Sequence, residues 1–267
     1  MSSIKWLILI GVIASVAILV FAMENVLKSG EKNSNNLSQS NNENQNNNPY
    51  IKEYSLPVGT WPNGILVDKN GIIWIAGSKT DSLFRFDTNQ GKIISYPIRD
   101  ENSQNYTKSG SFMVWTMLQD SDGLIWFSQL GTNSIWKFDP NTDKFTALHS
   151  VSSAPFQMKL DKDENIWFTT LTSNTVGVIQ KTQNKTEPYM ISEFNTGNNT
   201  QPAGLFLENN DLWITEITTQ KIVKYHIISD GGIVTNIEKT LEVPTDEKIS
   251  LGSPTDLFVL NDTIWLT

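Results

Sequence analysis

From Pro62 the chain reads PNGILVDKNGIIWIAG, and from Val114 it reads VWTMLQDSDGLIWFSQ. Both set an apolar stretch, a polar turn and an aliphatic residue followed by tryptophan at the same offsets. Three more segments keep the scheme: PFQMKLDKDENIWFTT from Pro155, PAGLFLENNDLWITE from Pro202 and PTDLFVLNDTIWLT from Pro254. Their tryptophans, Trp74, Trp126, Trp167, Trp213 and Trp265, are spaced by 52, 41, 46 and 52 residues. A period of ~40 to 50 residues is that of a β-propeller blade of four antiparallel strands.

Each unit divides accordingly. In the first, Gly64 to Asp68 is a strand, Asn70-Gly71 a tight turn and Ile72 to Ala76 the next strand. Leu83 to Asp87 alternates apolar and polar residues, Asn89 to Gly91 turns the chain, and Lys92 to Ile98 supplies the outer strand. The second unit repeats this, with Asp122-Gly123 as turn and Ser134 to Asp139 as third strand. In the third and fourth, Asp163-Glu164-Asn165 and Asn209-Asn210-Asp211 stand where glycine stood, since Asn and Asp tolerate the left-handed conformation. No stretch of residues 50–267 has the period of an amphipathic helix. One residue type recurring at one strand position is a packing signature, so the five indoles are expected between adjacent blades as core.

Working outward, residues 6–23 (WLILIGVIASVAILVFAM) contain no charge and approach the roughly 20 apolar residues that cross a bilayer. We read residues 1–28 as an N-terminal membrane anchor with the N-terminus cytoplasmic and the remainder extracytoplasmic. A cleaved signal peptide, giving a secreted protein, is the alternative. Residues 29–49 hold nine Asn and no aromatic, and read as a disordered linker because they cannot bury enough apolar surface to offset ordering entropy. Sequons at Asn36, Asn105, Asn184, Asn198 and Asn261 fit export. Residues 50–267 are the propeller repeats. The chain ends at Thr267, inside the second strand of a fifth unit; an unpaired apolar edge there leads to the expectation of a fragment.

Composition excludes several functions. A net charge of -8 without a basic cluster argues against nucleic acid as partner. Zero cysteines exclude a disulfide framework, a thiolate nucleophile and a Cys-ligated metal centre. Nine Trp and twelve Phe supply the core instead.

The unit P-x-G-x-x-x-D-x-x-G-x-I-W-[FI], followed in the second repeat by NSIWKFDP, resembles the repeat of the streptogramin lyase (virginiamycin B lyase-like) propellers. The resemblance covers residues 55–267. It implies a seven-bladed propeller with a ligand site at one end of its channel. It further implies a carbon-oxygen lyase that opens a cyclic depsipeptide at its ester, with a histidine base, acidic neighbours and magnesium as cofactor. Only His149 and His226 are present, and both lie outside the P-x-G and I-W segments.

One acidic position matches the family: Glu216, in W-I-T-E, where the other units carry Gly77, Gln129 and Thr170. Glu216 is the candidate catalytic residue. Asn63, Trp115, Gln157, Thr255 and Asp256, near the start of each repeat, are expected with Gln129 and Thr170 to rim the channel mouth, and Asp256 and Glu216 to be able to share a divalent cation. Two functions follow. One is a ligand- or partner-binding module that takes a small molecule, a carbohydrate or a protein at the mouth. The other is a magnesium-dependent lyase or a lactone hydrolase.

Overall fold

The computed structural model describes residues 52–99, 113–148, 151–244, 254–260 and 263–267. The candidate span at 6–23, the linker at 29–49 and His149 lie outside the described residues, among which no helix is long and apolar enough to cross a membrane. Every described strand lies within the unit Leu56–Thr267.

Strands β1 (Pro62–Val67), β2 (Ile73–Gly77), β3 (Ser82–Asp87) and β4 (Lys92–Pro97) form the first sheet, in that order. β5 (Val114–Gln119), β6 (Ile125–Gln129), β7 (Ser134–Asp139) and β8 (Lys144–Leu148) form the second. β9 (Pro155–Leu160), β10 (Ile166–Thr170), β11 (Thr175–Lys181) and β12 (Tyr189–Asn195) form the third, and β13 (Pro202–Glu208), β14 (Asp211–Glu216), β15 (Lys221–Asp230) and β16 (Ile233–Pro244) the fourth. β17 (Leu257–Leu260) and β18 (Thr263–Leu266) pair as a two-stranded sheet. All pairings are antiparallel, and the one helical turn among the described residues is the 3-10 turn Leu130–Thr132. The strands expected from alternation lie within a residue or two of these bounds.

The first strands adjoin in series, β1 on β5, β5 on β9, β9 on β13 and β13 on β17, so the sheets fan out from a row of inner strands. Four apolar clusters fill the four boundaries. Trp74 packs with Ile125, Phe127 and Phe138 of the next sheet; Trp126 with Met158, Ile166 and Phe168; Trp167 with Leu205, Leu212 and Tyr225; Trp213 with Leu257 and Val259. Each indole therefore seals the boundary to the following sheet. At a burial of ~150–250 Å² each, the hydrophobic transfer term is about 4–6 kcal/mol per residue before entropy. Trp265 differs: it is 62% exposed, because no described sheet lies against its face of β18.

The turn aspartates explain why the motif couples D to W. Asp68, Asp120 and Asp161 each accept the indole N–H of the tryptophan six residues on, at 2.9, 2.9 and 3.0 Å. Their second oxygens accept backbone N–H groups of the same hairpin, such as Ile72, Leu124 and Asn165. One carboxylate thus closes the turn and satisfies a buried donor. In the fourth unit the hairpin is one residue shorter, Leu207 stands six residues before Trp213, and the Trp213 indole N–H has no hydrogen-bond partner.

Candidate functional site: the mouth of the inner strands

The register of four inner strands slips at one place, between Pro62 and Ile65, Val114 and Met117, Pro155 and Met158, and Pro202 and Leu205. A bulge there detaches backbone groups from the ladder, and these need partners. Hydroxyls of the second strands supply them. The N–H groups of Thr116, Gln157 and Gly204 donate to Ser128, Thr169 and Thr215 at 3.0, 3.2 and 2.7 Å. Ser128 and Thr169 in turn donate to the carbonyls of Phe156 and Ala203 in the next sheet, at 3.0 and 2.7 Å. In the first sheet Ala76 occupies the hydroxyl position, and Asn63 Nδ2 bridges instead to the Val114 carbonyl at 2.9 Å. The sequence alone does not predict these hydroxyl clips; their trace is the Ser or Thr two residues after four of the five repeat tryptophans, Trp74 having Ala76 at that place.

The bulges also decide what reaches the mouth. Asn63, Trp115 and Thr255 are exposed and Asp256 partly so. Gln157 is buried, and its Oε1 accepts the Leu205 N–H at 2.9 Å; its register equivalents are Gly64, Thr116 and Gly204, so Phe156, not Gln157, matches Asn63 and Trp115. The glycine of P-x-G serves close approach: a Cβ on Gly204 would stand 2.9 Å from the Asp256 Cα, and one on Gly64 3.0 Å from the Met117 side chain.

Gln129, Thr170 and Glu216 pair with the first residues of their inner strands, and all three are buried. Each bonds the Ser or Thr three residues on: Gln129 Oε1 accepts from Thr132, Thr170 shares a hydrogen bond with Ser173 at 2.6 Å, and Glu216 Oε2 accepts from Thr219. The three therefore hold the turn into the third strand. Gln129 Oε1 also accepts the Trp136 indole N–H at 3.0 Å. Glu216 alternates with Leu212 and Ile214 on the face of β14 turned to the third sheet. Burial pushes its carboxyl above the usual glutamate range, Glu242 adds to the rise, and the Thr219 hydrogen bond with Lys221 and Lys239 opposes it.

His226 Nδ1 lies 3.0 Å from Asp211 Oδ1, across the ladder from the residue that begins β14. Glu216 ends that strand, about 17 Å away at ~3.3 Å per residue, so the histidine and the glutamate sit at opposite ends of the sheet. Burial of Asp211 opposes ionisation, but hydrogen bonds from Lys224 and His226 outweigh it and hold its carboxyl below the usual range. Among the described residues no group of three or more His, Cys, Asp or Glu is gathered to hold a metal ion, and Asp256 Oδ1 accepts its neighbour's N–H at Leu257.

No protein-family model matches the chain, and no curated protein matches it in sequence. Solved structures do. A streptogramin B lyase superposes with a TM-score of 0.61 at 22% identity, over 80% of this chain and 65% of that one. A catalytically inactive virginiamycin B lyase from Staphylococcus aureus, solved with quinupristin, gives 0.61 at 24% identity, over 81% and 66%. The fold is a β-propeller. The extracellular domain of a one-component system from B. thetaiotaomicron gives 0.53 at 19%, over 77% of this chain and 26% of that one. At these identities the likeness is one of fold, and the chain spans about two thirds of the length of the two lyases. The repeat-to-family resemblance read from P-x-G and I-W thus holds at the level of the propeller, and the four complete sheets are four blades of it.

Proposed function

We propose that this chain is a ligand-binding propeller module, held at the outer face of a membrane by residues 6–23 and presenting the mouth formed where the inner strands begin. The observation that supports this reading is the division of labour there. Asn63, Trp115 and Thr255 face solvent, whereas Gln129, Thr170, Gln157 and Glu216 are spent on turns and blade boundaries. Binding needs exposed, firmly seated side chains; acid–base chemistry needs a paired base within hydrogen-bond reach of the reacting group. His226 is engaged at the far end of its blade.

The chain contains no cysteine, so a single introduced one reports topology. Lys185→Cys, on an exposed hairpin, is expected to react with a membrane-impermeant maleimide in intact cells. Labelling only after lysis would overturn the extracytoplasmic placement. A second reading, a magnesium-dependent lyase, draws support from the fold likeness to the lyase solved with quinupristin. Purified chain incubated with magnesium and quinupristin, followed by chromatography, is expected to leave the ring closed; enzyme-dependent ring opening would replace the module by the lyase, and hydrolysis of a lactone by the lactone hydrolase.

A further inference from the structure

Trp115 departs from the burial of the repeat indoles in the four complete blades. Trp74, Trp126, Trp167 and Trp213 are sunk in blade boundaries, but Trp115 is 42% exposed at the mouth. It occupies the bulge of β5, where the register slip turns it out of the ladder. One ring face is stacked on buried Phe156 of the next blade, with centroids 4.7 Å apart and planes at 27°. Stacking holds the indole without covering its other face, and a seated ring loses little conformational entropy on binding.

Two more large side chains flank the same end, within two residues of the starts of β1 and β5: Trp61, 37% exposed, and Met113, 40% exposed. Trp61 takes a left-handed backbone with φ of 50° while Lys79 Nζ sits 5.1 Å from its ring centroid. Asn63 completes the group; its amide N–H donates to the Val114 carbonyl, next to Trp115, and its oxygen is an acceptor. Among the described residues, the polar side chain bonded beside Trp115 is thus a neutral amide.

We infer that Trp115, with Asn63 and Trp61, forms a stacking platform for a neutral hexose ring of a glycan. A pyranose presents C–H bonds on its face and hydroxyls at its edge, which matches an indole face bordered by an amide. A flat aromatic ligand would use the indole but not the amide, and among the described residues no cation lies over the Trp115 ring to hold an anion, Lys79 being seated on Trp61. The inference rests on the mouth-binding reading and narrows it to a ligand class.

The test uses the 267-residue chain in lipid nanodiscs, with its nine tryptophans replaced by 5-fluorotryptophan and followed by fluorine NMR. Probes are the neutral cellohexaose and maltohexaose, with 2-naphthol as the aromatic control; Trp61→Phe and Trp115→Phe assign the two resonances. The expected result is a saturable shift at Trp115 with at least one oligosaccharide. Trp115→Ala should weaken that binding at least ten-fold, Trp115→Phe less than three-fold and Asn63→Ala about three- to ten-fold, consistent with loss of one stacked ring or one hydrogen bond. Oligosaccharide binding that leaves Trp115 unmoved overturns the platform but keeps the mouth module. Response to 2-naphthol alone overturns the ligand class. Silence of Trp61 and Trp115 toward all three probes removes the mouth reading as well.

Discussion

Trp167 and Trp213 hold equivalent places in successive blades, yet one indole N–H reaches Asp161 and the other reaches nothing. Replacing either by Phe removes similar apolar bulk, so the difference between the two variants isolates the hydrogen bond. We expect Trp167→Phe to cost about 1 kcal/mol more than Trp213→Phe in urea unfolding, because only the first removes a hydrogen bond, leaving Asp161 Oδ2 with the Asn165 amide alone. Equal losses would show that the Asn165 amide, with or without water, satisfies the aspartate by itself. Glu216 offers a second residue-scale test. Its folded pKa lies above the unfolded value, so between the two the folded chain holds the extra proton and stability falls as pH rises through that window. Glu216→Gln, which places at this position the amide that Gln129 already uses, should gain on the parent at about pH 7 and lose that advantage in acid. A variant with the parent's pH slope would mean that the carboxylate is not desolvated.

Among elements, the repeated bulge of the inner strand and its hydroxyl clip govern how blades join. Thr169 accepts one N–H and donates to a carbonyl of the next blade, and both groups are buried. Thr169→Val keeps the shape and orphans them, with an expected cost of about 1–3 kcal/mol by denaturant titration; a neutral result would show that the bulge relaxes onto other partners. The long hairpin of β15 and β16 is tied to the third blade in another way. Gln180 Nε2 donates to the Gly232 carbonyl at 3.2 Å and its Oε1 accepts the Val234 N–H at 2.9 Å. Gln180→Leu should raise amide exchange at Val234 and Ile233 while leaving the β13–β14 pair protected, since Gln180 accepts the Val234 N–H directly and the β13–β14 ladder does not depend on it. Left-handed residues precede each third strand, at Asp81, Asn133, Asn174 and Gln220. Asp and Asn there were readable as turn formers, whereas Gln220 was not, because the blade imposes the conformation on a residue with no preference for it.

Across the whole molecule each blade packs only on its neighbours through one apolar cluster per boundary. Perturbations at separate boundaries should therefore be independent. Ser128→Ala and Thr215→Val act on clips in different blades, and their combined destabilisation should equal the sum within about 0.3–0.5 kcal/mol. A larger departure would mean that strain passes from blade to blade. The same architecture explains why the mouth was only half legible. Position in the repeat places Asn63, Trp115 and Thr255 at the starts of the inner strands, where all three are exposed, because strand order alone brings repeat starts to one end. Gln157, Gln129, Thr170 and Glu216 share that end but point into boundaries and turns. Which way a side chain faces there depends on a one-residue slip that no pattern of apolar residues reveals.

Periodic indoles, alternating strands and paired turn residues determined by themselves that the chain builds successive four-stranded sheets with tryptophan between them, since burial of one large side chain per repeat admits few other arrangements. The tertiary structure alone decided which polar residues are left for a ligand. Hydrogen-bond demand from the bulges is set by neighbouring blades distant in sequence, so Ser128, Thr169, Gln157 and Glu216 are committed to the fold while the Trp115 ring face stays open to solvent.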